Sequence, residues 1–397
     1  MISVTAAKEI IRHNTPSCGT ARYTVPDAVG LVLAEDIHST VDLPPFNQSN
    51  VDGYALRFDD LPGPLPVEGT IPAGFAQRLV LPPKQAVRIF TGSPVPDEAD
   101  TVIMQEKVTL IDGALTTTEE DIRRGANYRP KGKDIQRGAL ALARGAYITA
   151  GAVGYLSALG ITHVLAYNKP AIAIIVTGNE LQRPGQPLQY GQVYEANSAL
   201  LRAALQQQHY RAVTVSHAED DLDKLTLLLE EALAAHDVVL LCGGISVGDY
   251  DYVLPATVRC GVEPLFHKVR QRPGKPLFFG RRGNTLVFGL PGNPSSVLSC
   301  YYEYVVEALG LMSHTSERLA VREALLAIDY AKPAGLTLFL KGWYDGHKVI
   351  VLDAQESYRL SSYALANCIV VLAESDTHYS AGDSVEIHLL PGQLQQP

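Results

Sequence analysis

Residues 171–180 read AIAIIVTGNE, and residues 238–251 read VVLLCGGISVGDYD. Each opens on an unbroken apolar run, 171–176 and 238–242, far too short to cross a bilayer. A strand with one wet face alternates polar and apolar residues; an unbroken run marks a strand buried on both faces, as in a parallel sheet covered by helices. The neighbours agree. Asn197 is placed to cap a helix running through Gln208, 212–216 reads as a strand, and Leu222, Leu225, Leu229, Ala232 and Leu233 recur at helical spacing before Val238. Segments 277–280 and 286–290, joined by 281–285, read as a hairpin. Asn293 is then placed to cap a last helix, with Pro294 in its first turn and Gly310 at its end. Repeated strand–helix units predict a mostly parallel, three-layer sheet domain over 170–316.

Outside that region the texture changes. A helix is expected over 5–13, apolar at Ala7, Ile10 and Ile11, and another over 150–159, capped by Thr149 and stopped by Gly160. We expect these two helices to pack together, making the stretch between them an inserted domain. Segment 46–140 is rich in Pro and Gly, with β-prone runs at 86–90, 101–104 and 108–111 and no long helical period, so an all-β module is expected. The tail from 317 to 397 returns to short β runs at 336–340, 348–352, 368–372 and 384–389, suiting a small barrel or sandwich. The division expected is therefore 1–45 plus 141–169 as an elongated linker domain, 46–140 as an inserted β-rich domain, 170–316 as an α/β domain and 317–397 as a C-terminal β domain.

A chain of 397 residues exceeds one ordinary core. With 46% hydrophobic and 19% charged residues it has the balance of a globular protein. Its first residues lack the basic-then-apolar order of a signal peptide, and a soluble cytoplasmic protein is expected, with no membrane partner. The net charge of −9 argues against a nucleic-acid partner, which would call for a basic surplus. Five scattered cysteines without a C-x-x-C pair suggest neither a disulfide framework nor a thiolate zinc site.

Ligands of open parallel sheets bind beyond the carboxyl ends of the strands. The unusual residues of this chain fall there: Thr177-Gly178-Asn179-Glu180, then Gly243-Gly244-Ile245-Ser246 running on to Asp251, then Pro291-Gly292-Asn293-Pro294. Any one of these is ordinary turn chemistry, whereas three at one rim favour a site whose backbone N–H groups can approach an anion. Glu180, Asp220 and Asp251 join the rim. Carboxylates around an anion call for a divalent cation, and Mg²⁺ suits hard oxygen ligands. Asp220 has a rival role as a helix cap and Glu180 as a solvated surface charge. Lys268, Arg270, Arg272 and Lys275 form the basic cluster of an acidic chain, suited to a phosphate or oxyanion, or else to guarding a sheet edge. Two further motifs, Ser49 to Ala55 and Arg88 to Pro96, read as turns without assignable chemistry.

Seven motifs together closely resemble the MoeA and gephyrin E-domain family: PPFNQSNVDGYAL (44–56), RIFTGSPVP (88–96), RPKGKDIQRG (129–138), IVTGNELQRPGQPL (175–188), LLCGGISVGDYDY (240–252), RQRPGKPLFF (270–279) and LPGNPSSVL (290–298). They span nearly the whole chain in the family's order. The resemblance implies a MogA-like α/β domain with the other three parts around it. It also implies a homodimer whose active site lies between the sheet domain of one subunit and the inserted domain of the other. It implies a molybdopterin molybdenumtransferase of molybdenum-cofactor biosynthesis, in which adenylylated molybdopterin and molybdate give molybdenum cofactor and AMP with Mg²⁺. Contacts with a molybdopterin adenylyltransferase and with molybdoenzyme chaperones are expected. By motif, Asp52 and Thr91 would act from the partner subunit, with Asp134 on the same surface. Glu180, Asp220 and Asp251 would serve the nucleotide and metal, Glu180 and Asp251 as metal ligands. Lys268, Arg272 and Lys275 would hold phosphate or molybdate. Thr177, Gly178, Gly243, Gly244, Ser246, Pro291, Gly292, Asn293 and Pro294 would shape the binding wall, with Lys341, Ser357 and Ser361 near the pterin and oxyanion.

The sequence departs from the family's common pattern at Asn179 and Asn47 (commonly Asp), Arg272 (commonly Lys) and Lys341 (commonly Arg). The carboxylate set is intact, and an active enzyme is expected. Two alternatives from other classes are a non-catalytic scaffold of the same fold and a nucleotide pyrophosphatase sharing only the sheet domain. The absence of a long disordered linker weighs against the first, and the DGYA and FTG motifs against the second.

Overall fold

The computed structural model describes residues 1–245, 251–315 and 318–392, and the chain divides into two compact units, Met1–Ala21 with Tyr167–Pro397, and Arg22–Ala166. The larger unit is built on a six-stranded sheet in the order Val213–Ala218, Ile172–Thr177, Val238–Cys242, Thr285–Leu290, Phe278–Arg282, Glu263–His267. Its first four strands are parallel, with Ile172 opposite both Val213 and Val238, and Val238 opposite Leu286. The strands Phe278–Arg282 and Thr285–Leu290 form the expected antiparallel hairpin.

The unbroken apolar runs are explained by burial on both faces. Ile172, Ile174, Val176, Leu240 and Cys242 enter one core; Ala173, Ile175, Val239 and Leu241 enter another on the opposite face. The helix Leu222–Ala235 covers the second face through Leu225, Leu229, Ala232 and Leu233. Helix Asn197–Gln207 and the segment from Pro294 to Met312 cover the first.

The N-terminal helix Val4–Asn14, capped by Ser3, and helix Ala150–Ala158 each bury an apolar stripe within their own unit. Ala7 and Ile11 are fully buried with Ile172 and Leu309 in the first core, whereas Leu156 is buried with Val25, Leu33, Ile148 and Val164. Each helix has one apolar stripe, and spacing along a chain does not say which surface a stripe will meet. The last helix also runs past Gly310: a π-helical turn at Tyr301–Val305 leads into Val306–Met312, whose apolar face continues to a buried Met312.

Beyond the sheet, strands Thr337–Tyr344, Lys348–Val351, Ala320–Leu326, Ser384–Leu389 and Cys368–Leu372 pair in sequence, and the last returns to the first, closing a barrel. The short strand Gln271–Arg272 adds in parallel to Thr337–Tyr344. Buried Glu303, on the π turn, accepts from Lys8 Nζ at 2.8 Å and pairs with His388 Nδ1 at 2.7 Å. Burial pushes the Glu303 carboxyl up, but Lys8 and His388 outweigh it and hold it below the usual range.

In the smaller unit a six-stranded sheet runs Thr101–Met104, Gly53–Leu56, Ala86–Ile89, Leu65–Ile71, Ala114–Thr116, Thr109–Ile111. Between 46 and 140 the described helical segments are two three-residue 3-10 turns, in line with a β module. No described helix anywhere is long and apolar enough to cross a membrane.

One glycine decides the path of the basic segment. Gly274 has φ +81°, and a β-carbon there would overlap the buried Cys300 Sγ. Gly274→Ala therefore combines left-handed strain with overpacking, and we expect a loss of about 1–3 kcal/mol of stability, read as a lowered urea midpoint. An unchanged midpoint would show that the turn relaxes freely.

Candidate functional site at the strand ends

The chain leaves strand Ile172–Thr177 for its neighbour on one side, Val213–Ala218, and then returns to the other side as Val238–Cys242. At such a reversal the two outgoing loops diverge and leave a crevice. A cavity of about 520 Å³ lies there, lined by Thr177, Gly178, Glu180, Asp220, Gly243, Gly244, Asp251, Gly292, Asn293 and Pro294. Two of the glycines hold a φ that other residues rarely adopt, and Gly243 also lies against backbone. A β-carbon on Gly178 (φ +146°) would lie 2.7 Å from Glu180 Oε2, and one on Gly243 (φ +92°) 2.9 Å from the Thr177 carbonyl oxygen. Bare backbone thus forms part of the wall, with the Glu180 carboxylate close beside Gly178.

Asp220 is free of the capping role that competed for it. Asp221 caps helix Leu222–Ala235, its Oδ1 accepting from the N–H groups of Asp223 (2.9 Å) and Lys224 (3.0 Å). Asp220 instead exchanges bonds with Asn179. The Asn179 N–H donates to Asp220 Oδ2, and the Asp220 N–H donates to Asn179 Oδ1, both at 3.1 Å. An Asp at 179 would keep the acceptor but set a second negative charge beside Asp220, so the amide preserves the brace with less repulsion.

Asn197 was misread from sequence. The helix-capping bond comes from Glu195, whose Oε1 accepts from the Ser198 N–H at 2.8 Å. Asn197 lines the cavity instead, donating from Nδ2 to the Gly292 carbonyl at 2.8 Å, while its buried Oδ1 has no hydrogen-bond partner among the described residues. A buried acceptor without a donor is costly unless a ligand or water supplies one. Asn293 precedes helix Pro294–Cys300 without a side-chain capping bond; its Nδ2 donates to Ser357 Oγ at 2.8 Å. Tyr194 and Tyr358 also line the cavity, and neither had a sequence signal of its own.

Other expected site residues lie elsewhere. Ser246 falls outside the described residues. Pro291 is buried next to the cavity lining, and Ser361 opens the short helix Ser361–Leu365. Lys268 (φ +74°) and exposed Lys275 do not line the strand-end cavity, and Arg272 lines a second cavity in the barrel. Lys341 is buried, donating from Nζ to Ser295 Oγ (3.1 Å) and to the Ala354 carbonyl (3.0 Å). Among the described residues no three His, Cys, Asp or Glu side chains are grouped closely enough to hold a metal by themselves. Glu180, Asp220 and Asp251 share the cavity without forming a closed cage.

In the smaller unit the two motifs without assigned chemistry form one hydrogen-bonded element. Asp52 Oδ1 accepts from both the N–H and the Oγ of Thr91 at 2.8 Å, which holds its carboxyl below the usual range. Arg88 lies over the rings of Tyr54 and Phe90, at 4.9 and 5.1 Å. Asp134 sits apart on a turn where its N–H donates to the Leu43 carbonyl at 2.9 Å; no described hydrogen bond links it to Asp52 or Thr91.

Three family models match in order: "MoeA N-terminal region (domain I and II)" over residues 2–160, "Probable molybdopterin binding domain" over 173–310 and "MoeA C-terminal region (domain IV)" over 323–390. The chain belongs to the MoeA family. It is 31% identical to a molybdopterin molybdenumtransferase of Haemophilus influenzae, covering 98% of this chain and 100% of that protein. A molybdopterin molybdenumtransferase of a Nostoc species is 33% identical, covering 92% of this chain and 87% of that protein. The solved structure of a molybdopterin biosynthesis MoeA protein from Pyrococcus horikosii superposes with a TM-score of 0.84 at 29% identity, covering 99% of this chain and 100% of that one. The MoeA fold thus accounts for both units and for the closed barrel.

Lys341 is the departure with a measurable consequence. Burial pulls its ammonium down to about 8. The unfolded chain binds the proton up to the ordinary lysine value of 10.5, so between about pH 8 and 10.5 the unfolded state carries more protons and stability rises with pH. Lys341→Arg, whose guanidinium stays charged, should flatten that rise. Urea unfolding of both proteins at pH 7 and pH 10 checks it; identical pH slopes would refute it.

Proposed function

We propose that the chain transfers molybdenum from molybdate to adenylylated molybdopterin, yielding molybdenum cofactor and AMP. The observation that carries this reading is the cavity at the strand reversal, where Glu180, Asp220 and Asp251 meet glycine-walled backbone. Its support in kind is the family, whose relatives in Haemophilus influenzae and Nostoc are named molybdopterin molybdenumtransferases.

The chemical problem is repulsion: molybdate and a phosphoanhydride are both anions, and carboxylates beside them add to it. The three carboxylates supply hard oxygen donors of the kind Mg²⁺ takes, together with phosphate oxygens and water. Glu180 and Asp251 would hold Mg²⁺, which supplies positive charge to the anhydride oxygens. The protein's own residues do the rest. Thr177, Gly243 and Gly244 bring backbone close to the nucleotide, Asn197 offers its unpaired Oδ1 to a ligand hydroxyl or amine, and the Asn179–Asp220 brace holds the rim in place. Holding two anions at one spot converts an unfavourable encounter into a unimolecular step. Lys268, Arg272 and Lys275 provide cationic groups for molybdate or phosphate.

We further propose a homodimer in which Asp52 and Thr91 of the partner subunit complete the site, working in the cytoplasm. The five cysteines, all free, suit a reducing compartment. An adenylyltransferase delivers the substrate and molybdoenzyme chaperones take the product.

With purified protein, adenylylated molybdopterin, Mg²⁺ and molybdate, AMP and active cofactor should form together. Asp251→Ala should lower kcat/KM by about 100-fold or more, the scale of losing a charged group from a preorganised site. Wild-type protein releasing neither product would rule the activity out. A mixture of Asp52→Ala and Asp251→Ala chains, refolded together, should regain activity that neither has alone, because one of the two sites in each mixed dimer is intact. No recovery in proven mixed dimers would refute the shared site.

A further inference from the structure

A third cavity, of about 520 Å³, lies toward the C-terminal end of helix Asn197–Gln207, and nothing in the proposed reaction uses it. It is lined by Arg202 and Gln206 of the helix, then by His209, Tyr210, Arg211 and Val213 on the way into the edge strand Val213–Ala218. No described carboxylate lines it. Three groups able to carry positive charge therefore share one cavity in a chain whose net charge is −9.

The two arginines set this cavity apart. Elsewhere in the same unit Arg12, Arg259, Arg270, Arg281 and Arg282 each lie 2.6–3.0 Å from a carboxylate oxygen. The Arg202 and Arg211 side chains have neither an ion pair nor a hydrogen bond among the described residues. Two ordinary duties do not explain them. A cation near a helix C-terminus can serve its last carbonyls, but here those are taken. The Leu205 carbonyl accepts from the Tyr210 N–H at 2.9 Å, the Gln206 carbonyl from the His209 N–H at 3.0 Å, and the Gln208 carbonyl from Lys169 Nζ at 2.9 Å. A charge at a sheet edge can ward off a further strand. That would account for Arg211 beside Val213, but not for Arg202 on the helix.

His209 adds an independent observation. Its φ is +62°, in a left-handed turn after the helix that glycine takes without strain. The chain keeps an imidazole where the backbone alone would favour no side chain.

We propose that this cavity binds a small molecule bearing a phosphate monoester. Two guanidinium forks match phosphate oxygens in pairs, and the His209 imidazole and the Gln206 amide add donors. The cavity is far larger than one phosphate fills, and Tyr210 and Val213 offer an apolar surface to an organic body. Side chains supply the positive charge, so no divalent metal is needed. In this it is the opposite of the strand-end cavity, whose carboxylates call for one.

Phenyl phosphate and inorganic phosphate, titrated by calorimetry into the full-length protein with EDTA present, test the proposal. EDTA withholds the metal that the strand-end cavity requires. Phenyl phosphate should bind, and more tightly than inorganic phosphate. Arg202→Gln and Arg211→Gln should each weaken phenyl phosphate by about tenfold or more, the equivalent of losing one charge-assisted contact. His209→Gly should weaken it by about threefold while raising the urea midpoint, which separates a lost contact from a damaged fold. The proposal is overturned if the wild type binds phenyl phosphate no better than inorganic phosphate, or if either arginine variant binds it as tightly as the wild type. The latter result would place the anion at the other cationic groups, Lys268, Arg272 and Lys275.

Discussion

The parallel pairing of Ile172–Thr177 with strands on both sides is the constraint on which the site depends. Because Ile172 faces Val213 on one side and Val238 on the other, Thr177 and Cys242 finish near the same rim, and the loops after them leave in different directions. A slip of one residue would turn Ile174 and Val176 from one core to the other and move Thr177 out of the rim. Burial on both faces makes that slip costly. The register is thus fixed by apolar packing, and the polar site inherits its geometry from it.

A second constraint keeps the barrel and the sheet in one unit. Glu303 lies fully buried on the π turn, with Lys8 from the N-terminal helix on one side and His388 from strand Ser384–Leu389 on the other. Buried charges are tolerated only when paired and hydrogen-bonded, and removing one partner strands the other. Arg12 repeats the arrangement one turn along, at 2.6 Å from Glu307. The same packing brings the 353–358 turn to Asn293, where Ser357 accepts its amide.

The sheet was legible because its strands are buried twice over, which leaves a sequence signature of its own: 171–176 and 238–242 contain no polar residue. The rim was legible for a related reason, since Gly178 and Gly243 stand where a side chain would strike Glu180 or Thr177. What escaped was side-chain direction. Asn197 and Asp220 each stand one residue from the N-cap position of a helix, where capping and facing a ligand have the same sequence appearance. Only the backbone path showed that Glu195 and Asp221 take the capping bonds and leave the other two for the cavity. The helix partners escaped as well, because Ala7–Ile11 and Leu156 each need an apolar surface without specifying which. Tyr194 and Tyr358 had no signal, as exposed aromatics are common and their cavity neighbours are not adjacent in sequence.

A net charge of −9 opposes anionic substrates at long range, and the local arrangement resolves the conflict. Exposed charges farther apart than about 8–10 Å are largely screened at ordinary ionic strength, so the local set governs binding. At the strand-end cavity that set is carboxylates and backbone, which repel a bare phosphate and favour one that arrives with a divalent cation. The barrel cavity differs, with Arg272, Asp353 and Glu356 bringing both signs of charge to its lining. Discrimination against a metal-free phosphate at the sheet rim then comes from repulsion by its carboxylates as much as from attraction to its backbone.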